Sequence, residues 1–292
     1  MKKFFYLVIA SFITACILSF GFKKSEAKPL TPECYISCFN IETSEMIQLD
    51  ALKNGFAALH QIPKSFTLEN PLGETVTFSS EDGTNASGYL LKSKKKSKKW
   101  LLVIQEWWGL NDYIKLESEK YFKELGDVNV LAIDMYDGKV ATTRDSATVY
   151  MSGAKKGRLE NIVKAAISYA GEKAKIYTVG WCFGGGWSLQ SSMLAAKQAK
   201  GCVMFYGRPE KDVEKLKTLN CDVIGFFGNL DKGIPVSTVN DFEANMKAAE
   251  KNVILHRFEA GHGFANPSNP SFNKEFSEEA FKKAIDFLKE RM

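Results

Sequence analysis

The chain of 292 residues is long enough for one large domain or two small ones, and with 45% hydrophobic, 12% aromatic and 25% charged residues it can bury a sizeable core. That composition excludes a mainly disordered chain, a collagen-like fibre and a small disulfide scaffold. The formal charge is 39 − 34 = +5, of which residues 1–27 carry +3; six lysines between Lys92 and Lys99 more than account for the rest, so there is no broad basic face and no nucleic-acid partner is expected.

The amino terminus reads as an address. Lys2 and Lys3 precede an apolar run from Phe4 to Phe22, followed by Lys23, Lys24 and Ser25-Glu26-Ala27. A basic start, an apolar stretch and small residues before the cut fit a cleaved secretory signal over 1–27, ending at Ala27. Two alternatives stay open. The 19-residue run is long enough for an uncleaved anchor, and Ile13-Thr14-Ala15-Cys16 loosely fits a lipidation box at Cys16, although Ile17-Leu18 disfavours it. All three readings export the domain, as a periplasmic, secreted or anchored protein, and leave the N-terminus as its only contact with a membrane. Export would put the remaining cysteines in an oxidising space. Cys34 and Cys38 could pair across a short loop. Cys202 and Cys221 begin apolar runs and read as buried thiols or a second pair. Cys182 is the odd one out.

Residues 28–65 read as an extension, with a weak helical stripe from Ser44 to Leu59 that Pro63 ends. A hairpin follows: Thr75–Phe78, a turn at Glu81-Asp82-Gly83, then Gly88–Leu91. The lysine cluster is a solvated turn. Thereafter strands and helices alternate. Strands are expected at Trp100–Ile104, Val128–Ile133, Ile176–Val179, Cys202–Tyr206, Val223–Phe227 and Val253–Phe258. Helices are expected at Tyr113–Leu125 (stopped by Gly126), along the Leu159, Ile162, Val163, Ala166, Ile167 face (stopped by Gly171), and from about Phe183 to Lys197. Two more carry Val239, Phe242, Met246 and Ala249, and Phe281, Ala284, Ile285 and Leu288, the last capped by Ser277. Near-continuous apolar strands alternating with helices imply a mostly parallel central sheet covered on both faces.

The chemistry concentrates at sheet edges. Gly180-Trp181-Cys182-Phe183-Gly184 lies between a predicted strand and a predicted helix, as a nucleophile elbow with cysteine in the serine place. Such a turn is strained and needs glycines where side chains would meet backbone. It aims the sulfur out of the sheet at a helix N-terminus, whose dipole favours thiolate. Hydrolases built on this elbow run nucleophile, acid, histidine along the chain. Of three histidines, His60 precedes the sheet and His256 lies within an apolar strand. His262, between Gly261 and Gly263, follows the last strand and can reach the sulfur as a base. Asp231 comes just after a strand and can fix the tautomer of His262, whereas Asp222 precedes that strand and Asp134 comes before the nucleophile. Gln105-Glu106-Trp107-Trp108-Gly109 follows another strand, where an oxyanion-hole amide belongs, so the expected donors are the backbone N–H groups of Trp107 and Phe183. Glu106 could accept the thiol proton or hydrogen-bond the resting thiol.

Together, Gln105–Gly109, Asp134-Met135-Tyr136, Gly180–Gly185, Asp231 and Gly261-His262-Gly263-Phe264-Ala265 resemble the dienelactone hydrolase family of α/β-hydrolases, over roughly residues 66–292. The resemblance implies a Cys182–Asp231–His262 triad and a glutamate, matched by Glu106, that interacts with the resting thiol. It implies two arginines holding a substrate carboxylate. One matches Arg144; the other falls on Asn266. A neutral amide does not replace a guanidinium, so a small lactone or ester is expected rather than dienelactone itself.

The expected reaction is acyl transfer through a thioester, by a monomer acting on a small molecule. No organic cofactor or metal is called for, the cysteines and histidines lacking zinc spacing. The alternatives are a general carboxylesterase or thioesterase, and a non-catalytic exported binding protein on the same fold. A thiol-redox protein is disfavoured because no C-x-x-C is present.

Overall fold

The computed structural model describes residues 60–292. The expected signal, Cys16, Cys34, Cys38 and the Ser44–Leu59 stripe lie outside the described residues. Among those described, one eight-stranded sheet forms the centre, in the order β1-β2-β4-β3-β5-β6-β7-β8. β1 (Glu74–Phe78) and β2 (Ala86–Leu91) are the expected hairpin, and β2 also pairs antiparallel with β4 (Asn129–Ile133). From there every pairing is parallel, through β3 (Lys99–Ile104), β5 (Lys175–Trp181), β6 (Ala199–Phe205), β7 (Val223–Gly228) and β8 (Val253–Phe258).

The parallel strands are apolar on both sides because helices cover both faces. Leu101, Leu102, Val103 and Ile104 are all fully buried. At roughly 1.5–3 kcal/mol per buried aliphatic side chain, they fix the strand that delivers the Gln105–Gly109 loop. α1 (Asp112–Leu125) starts where the Asn111 side chain accepts a hydrogen bond from the Ile114 N–H, and ends at Gly126 with φ 73°. α3 (Lys156–Ala170) buries the face read from its sequence, Leu159, Ile162, Val163, Ala166 and Ile167. α4 (Phe183–Leu194) and α6 (Val236–Ala248) also cover the sheet; α6 packs Val239, Phe242 and Met246 into a smaller cluster with Met204 and Phe227.

Four details differ from the sequence expectation. α4 stops at Leu194, and a separate 3-10 turn over Ala196–Gln198 follows. The last helix, α7 (Lys274–Arg291), is capped by Asn273, whose side chain accepts from Phe276 N; Ser277 already lies in the first turn. α2 (Arg144–Gly153) was not foreseen because it buries only Ala147 and Met151, too few for a stripe, and its capping box pairs Thr143 with Ser146 instead of a glutamate. α5 (Val213–Lys217), capped by Asp212, is too short to show a period. Cys202 and Cys221 are separate free thiols.

Candidate active site

The parallel strands end at one edge of the sheet, and the candidate residues hang from those ends. β5 runs into Cys182, which holds φ 55° and ψ −117°, and α4 begins at the next residue. A side chain at Gly180 would put its Cβ 2.0 Å from the Gly184 carbonyl oxygen, and one at Gly184 would lie 2.3 Å from the carbonyl oxygens of Ile104 and Gln105. Both glycines of the elbow are therefore required for helix α4 to leave the sheet at this angle. Holding a non-glycine residue at positive φ costs on the order of 1–3 kcal/mol, which the buried surroundings support.

Asp231 follows β7. Its Oδ1 accepts from Gly233 N (2.7 Å) and Ile234 N (3.0 Å), and its Oδ2 lies 2.7 Å from Nδ1 of His262. His262 follows β8 and brings a ring nitrogen within 4.8 Å of the Cys182 sulfur. Cys182, Asp231 and His262 thus come together, from three strand ends. Burial pushes the Cys182 thiol up, partly offset by His262. Burial opposes charge on His262, but Asp231 and then Cys182 lift the imidazole well above its ordinary value. Burial likewise opposes charge on Asp231, yet His262 and two backbone N–H groups hold its carboxyl below the usual range. Trp107 and Phe183, the expected amide donors, are buried just beyond β3 and β5, neighbouring strands.

Glu106 is placed differently from the expectation. Its Oε1 accepts from the Tyr206 hydroxyl (3.3 Å) and its Oε2 from Asn266 Nδ2 (2.5 Å). Asn266 therefore ties down Glu106, while its own Oδ1 accepts from the N–H and the hydroxyl of Ser268. The side chain hydrogen-bonded to the thiol is that of His60: its Nε2 lies 3.2 Å from Cys182 Sγ. Arg144, the first residue of α2, donates from Nε to the His60 carbonyl at 2.7 Å.

Sequence reasoning set His60 aside because it precedes the sheet and lies 122 residues from Cys182, with no local motif to connect them. The segment that carries it has no regular structure and is held along α1 by side chains. Leu68 N donates to Asp112 Oδ2 (3.0 Å), Leu72 N to Glu119 Oε1 (2.9 Å) and Gly73 N to the Tyr89 hydroxyl (2.7 Å). Phe66 packs on Tyr113 with ring centroids 4.8 Å apart. The His60 ring then lies 4.6 Å from Trp107 and 5.1 Å from His262, centroid to centroid, and covers the thiol: His60 is 2% exposed and Cys182 1%. Tyr206, also not singled out from sequence, takes φ 37° just after β6 and reaches Glu106.

Burial pushes the Glu106 carboxyl up to about 7. The folded protein thus binds this proton more tightly than the unfolded chain, so stability falls as pH rises from the unfolded value near 4.5 through about 7. The full penalty, on the order of 3 kcal/mol, applies above that window. Glutamine carries no such charge. We expect Glu106→Gln to gain stability relative to the native protein by about that amount between pH 4.5 and pH 8, read from urea midpoints at each pH. A difference independent of pH would contradict the burial of an ionising carboxyl here.

A family model described as the dienelactone hydrolase family matches residues 86–292, more than half of the chain. Carboxymethylenebutenolidase 1 of Cupriavidus pinatubonensis is 23% identical over 231 residues, covering 74% of this chain and 97% of that protein. Carboxymethylenebutenolidase of Pseudomonas sp. (strain P51) is 29% identical over 136 residues, covering 44% and 54%. Among solved structures, the dienelactone hydrolase of Anabaena variabilis superposes with a TM-score of 0.55 at 15% identity, over 80% of this chain and all of that one (100%), a likeness of fold.

Proposed function

The chain belongs to the dienelactone hydrolase family, hydrolases of ester bonds, and we propose that it cleaves a small lactone or carboxylic ester by acyl transfer through Cys182. The observation that carries this reading is the 2.7 Å contact between Asp231 and Nδ1 of His262, whose ring lies within 4.8 Å of a sulfur on a strained elbow.

His262 takes the thiol proton, and Asp231 stabilises the imidazolium and fixes the ring. The thiolate attacks the carbonyl carbon. The oxyanion sits against the Trp107 and Phe183 amides. As the carbon–oxygen bond breaks, His262 returns its proton to the leaving oxygen; in a lactone that hydroxyl stays on the same molecule. His262 then deprotonates water, which attacks the thioester, and the thiol regains the proton as the acid departs. Arg144 becomes available to a substrate anion when the His60 carbonyl leaves it, with Asn266 offering no second charge. Export, read from residues 1–27, would place this reaction outside the cytoplasm.

The test is partitioning. A series of acetate esters with different leaving alcohols is hydrolysed in water containing methanol. A common acetyl-enzyme gives one ratio of methyl acetate to acetate for every ester. A ratio that follows the leaving group means water attacks the ester directly, and the thioester is discarded.

A further inference from the structure

We propose that His60, Cys182 and His262 form a three-donor site for a divalent cation of the zinc class, and that its occupancy locks the hydrolase shut. The binding stands on geometry alone; the locking rests on the hydrolase reading above.

One donor atom from each of the three residues lies within 4.8 Å of the others, and all three residues are buried. A tetrahedral zinc with bonds of 2.0–2.3 Å separates its donors by roughly 3.3–3.7 Å. The His60 Nε2 to Cys182 Sγ distance of 3.2 Å is already close to that. The third donor needs to shift by no more than about an ångström. His262 is held at Nδ1 by Asp231, which turns its other nitrogen to the sulfur. A carboxylate behind a ligating imidazole is the usual second layer of a zinc site. His60 is held from behind as well, through its carbonyl, by Arg144 at 2.7 Å.

The chemistry fits a borderline-soft ion. One thiolate and two imidazoles suit zinc and its neighbours and do not suit magnesium or calcium. Coordination displaces the Cys182 proton to solvent. The thiolate and the Asp231 carboxylate then balance the two positive charges of the ion. A sulfur and a ring nitrogen bound to metal can neither attack a carbonyl nor take a proton. The ion would also bridge the His60 segment to the sheet edge and hold the cover down. No sequence spacing announces such a site, because His60 and Cys182 are 122 residues apart.

The experiment uses the full chain with cobalt(II) as the probe and zinc as competitor. We expect one cobalt bound with a thiolate-to-metal charge-transfer band, displaced by zinc, and absent in Cys182→Ala. His60→Gln, which keeps a polar group of similar reach, should weaken zinc by at least tenfold to a hundredfold. His60→Cys, which restores a ligand, should recover most of it, which a misfolded variant would not do. Zinc should abolish ester hydrolysis at one equivalent, and a chelator should restore it. A missing charge-transfer band, or equal zinc affinity in the native protein and His60→Gln, overturns the site. If zinc binds with the expected dependence on His60 but the metal-free protein hydrolyses no ester, the site stands and the hydrolase reading is what fails.

Discussion

Cys182→Ala is expected to lower kcat for ester hydrolysis by roughly a hundred-thousandfold to a millionfold while the protein stays folded. Alanine keeps the Cβ and the strained φ of 55°, so the elbow and helix α4 are retained. What disappears is one sulfur, 3.2 Å from His60 Nε2 and within 4.8 Å of a His262 ring nitrogen. The residual activity, about a thousandfold over water, is expected from the amides of Trp107 and Phe183 and from substrate binding. Stopped-flow hydrolysis of an activated ester, beside a thermal melt of the same sample, measures both halves of the statement. More than about one hundredth of native turnover in a folded variant would remove Cys182 from the reaction.

Asp231→Asn should cost about ten-thousandfold in kcat with little change in fold. The amide oxygen can still accept from Gly233 and Ile234, as Oδ1 does now. The amide nitrogen must then face Nδ1 of His262, where Oδ2 now sits at 2.7 Å. Two donors cannot meet there, so the ring moves its proton to the other nitrogen, the one turned toward the sulfur. That nitrogen can no longer accept from the thiol. Without the Asp231 charge the imidazole also falls from its raised value, since that carboxylate is the chief influence lifting it. The pH–rate profile should shift as well as drop. A variant within tenfold of native activity would mean that Asp231 only braces the loop before Ile234.

How much of this was legible from sequence depended on whether a residue's role is local. The elbow was legible because its constraint is local: Gly180 and Gly184 sit two residues from Cys182 and would collide with backbone if they carried side chains. Asp231 and His262 were legible from chain order, each following an apolar strand long enough to be recognised. The parallel sheet showed in strands apolar on both faces. The partners of Glu106 were not legible, because Tyr206 and Asn266 reach it across 100 and 160 residues. Neither was His60. The segment that positions it makes no helix or strand and is held by Asp112, Glu119 and Tyr89, contacts that leave no periodic pattern. Helix α2 escaped for the opposite reason: it lies so exposed that its sequence carries almost no stripe.

The last two strands carry Asp231 and His262, and among the described residues β8 is an edge strand with one neighbour. The loops beyond them continue the same ladder, through Asn229 N to Phe258 O (2.8 Å) and Leu230 N to Ala260 O (3.0 Å). Proteins open in cooperative pieces whose free energies reach up to that of global unfolding, often coinciding with supersecondary motifs. Release of β8 alone would carry His262 away from Asp231 and Cys182 in one event, while β3, β5 and β6 kept the elbow intact. An opening of β8 below the global transition would then inactivate the protein before it unfolds.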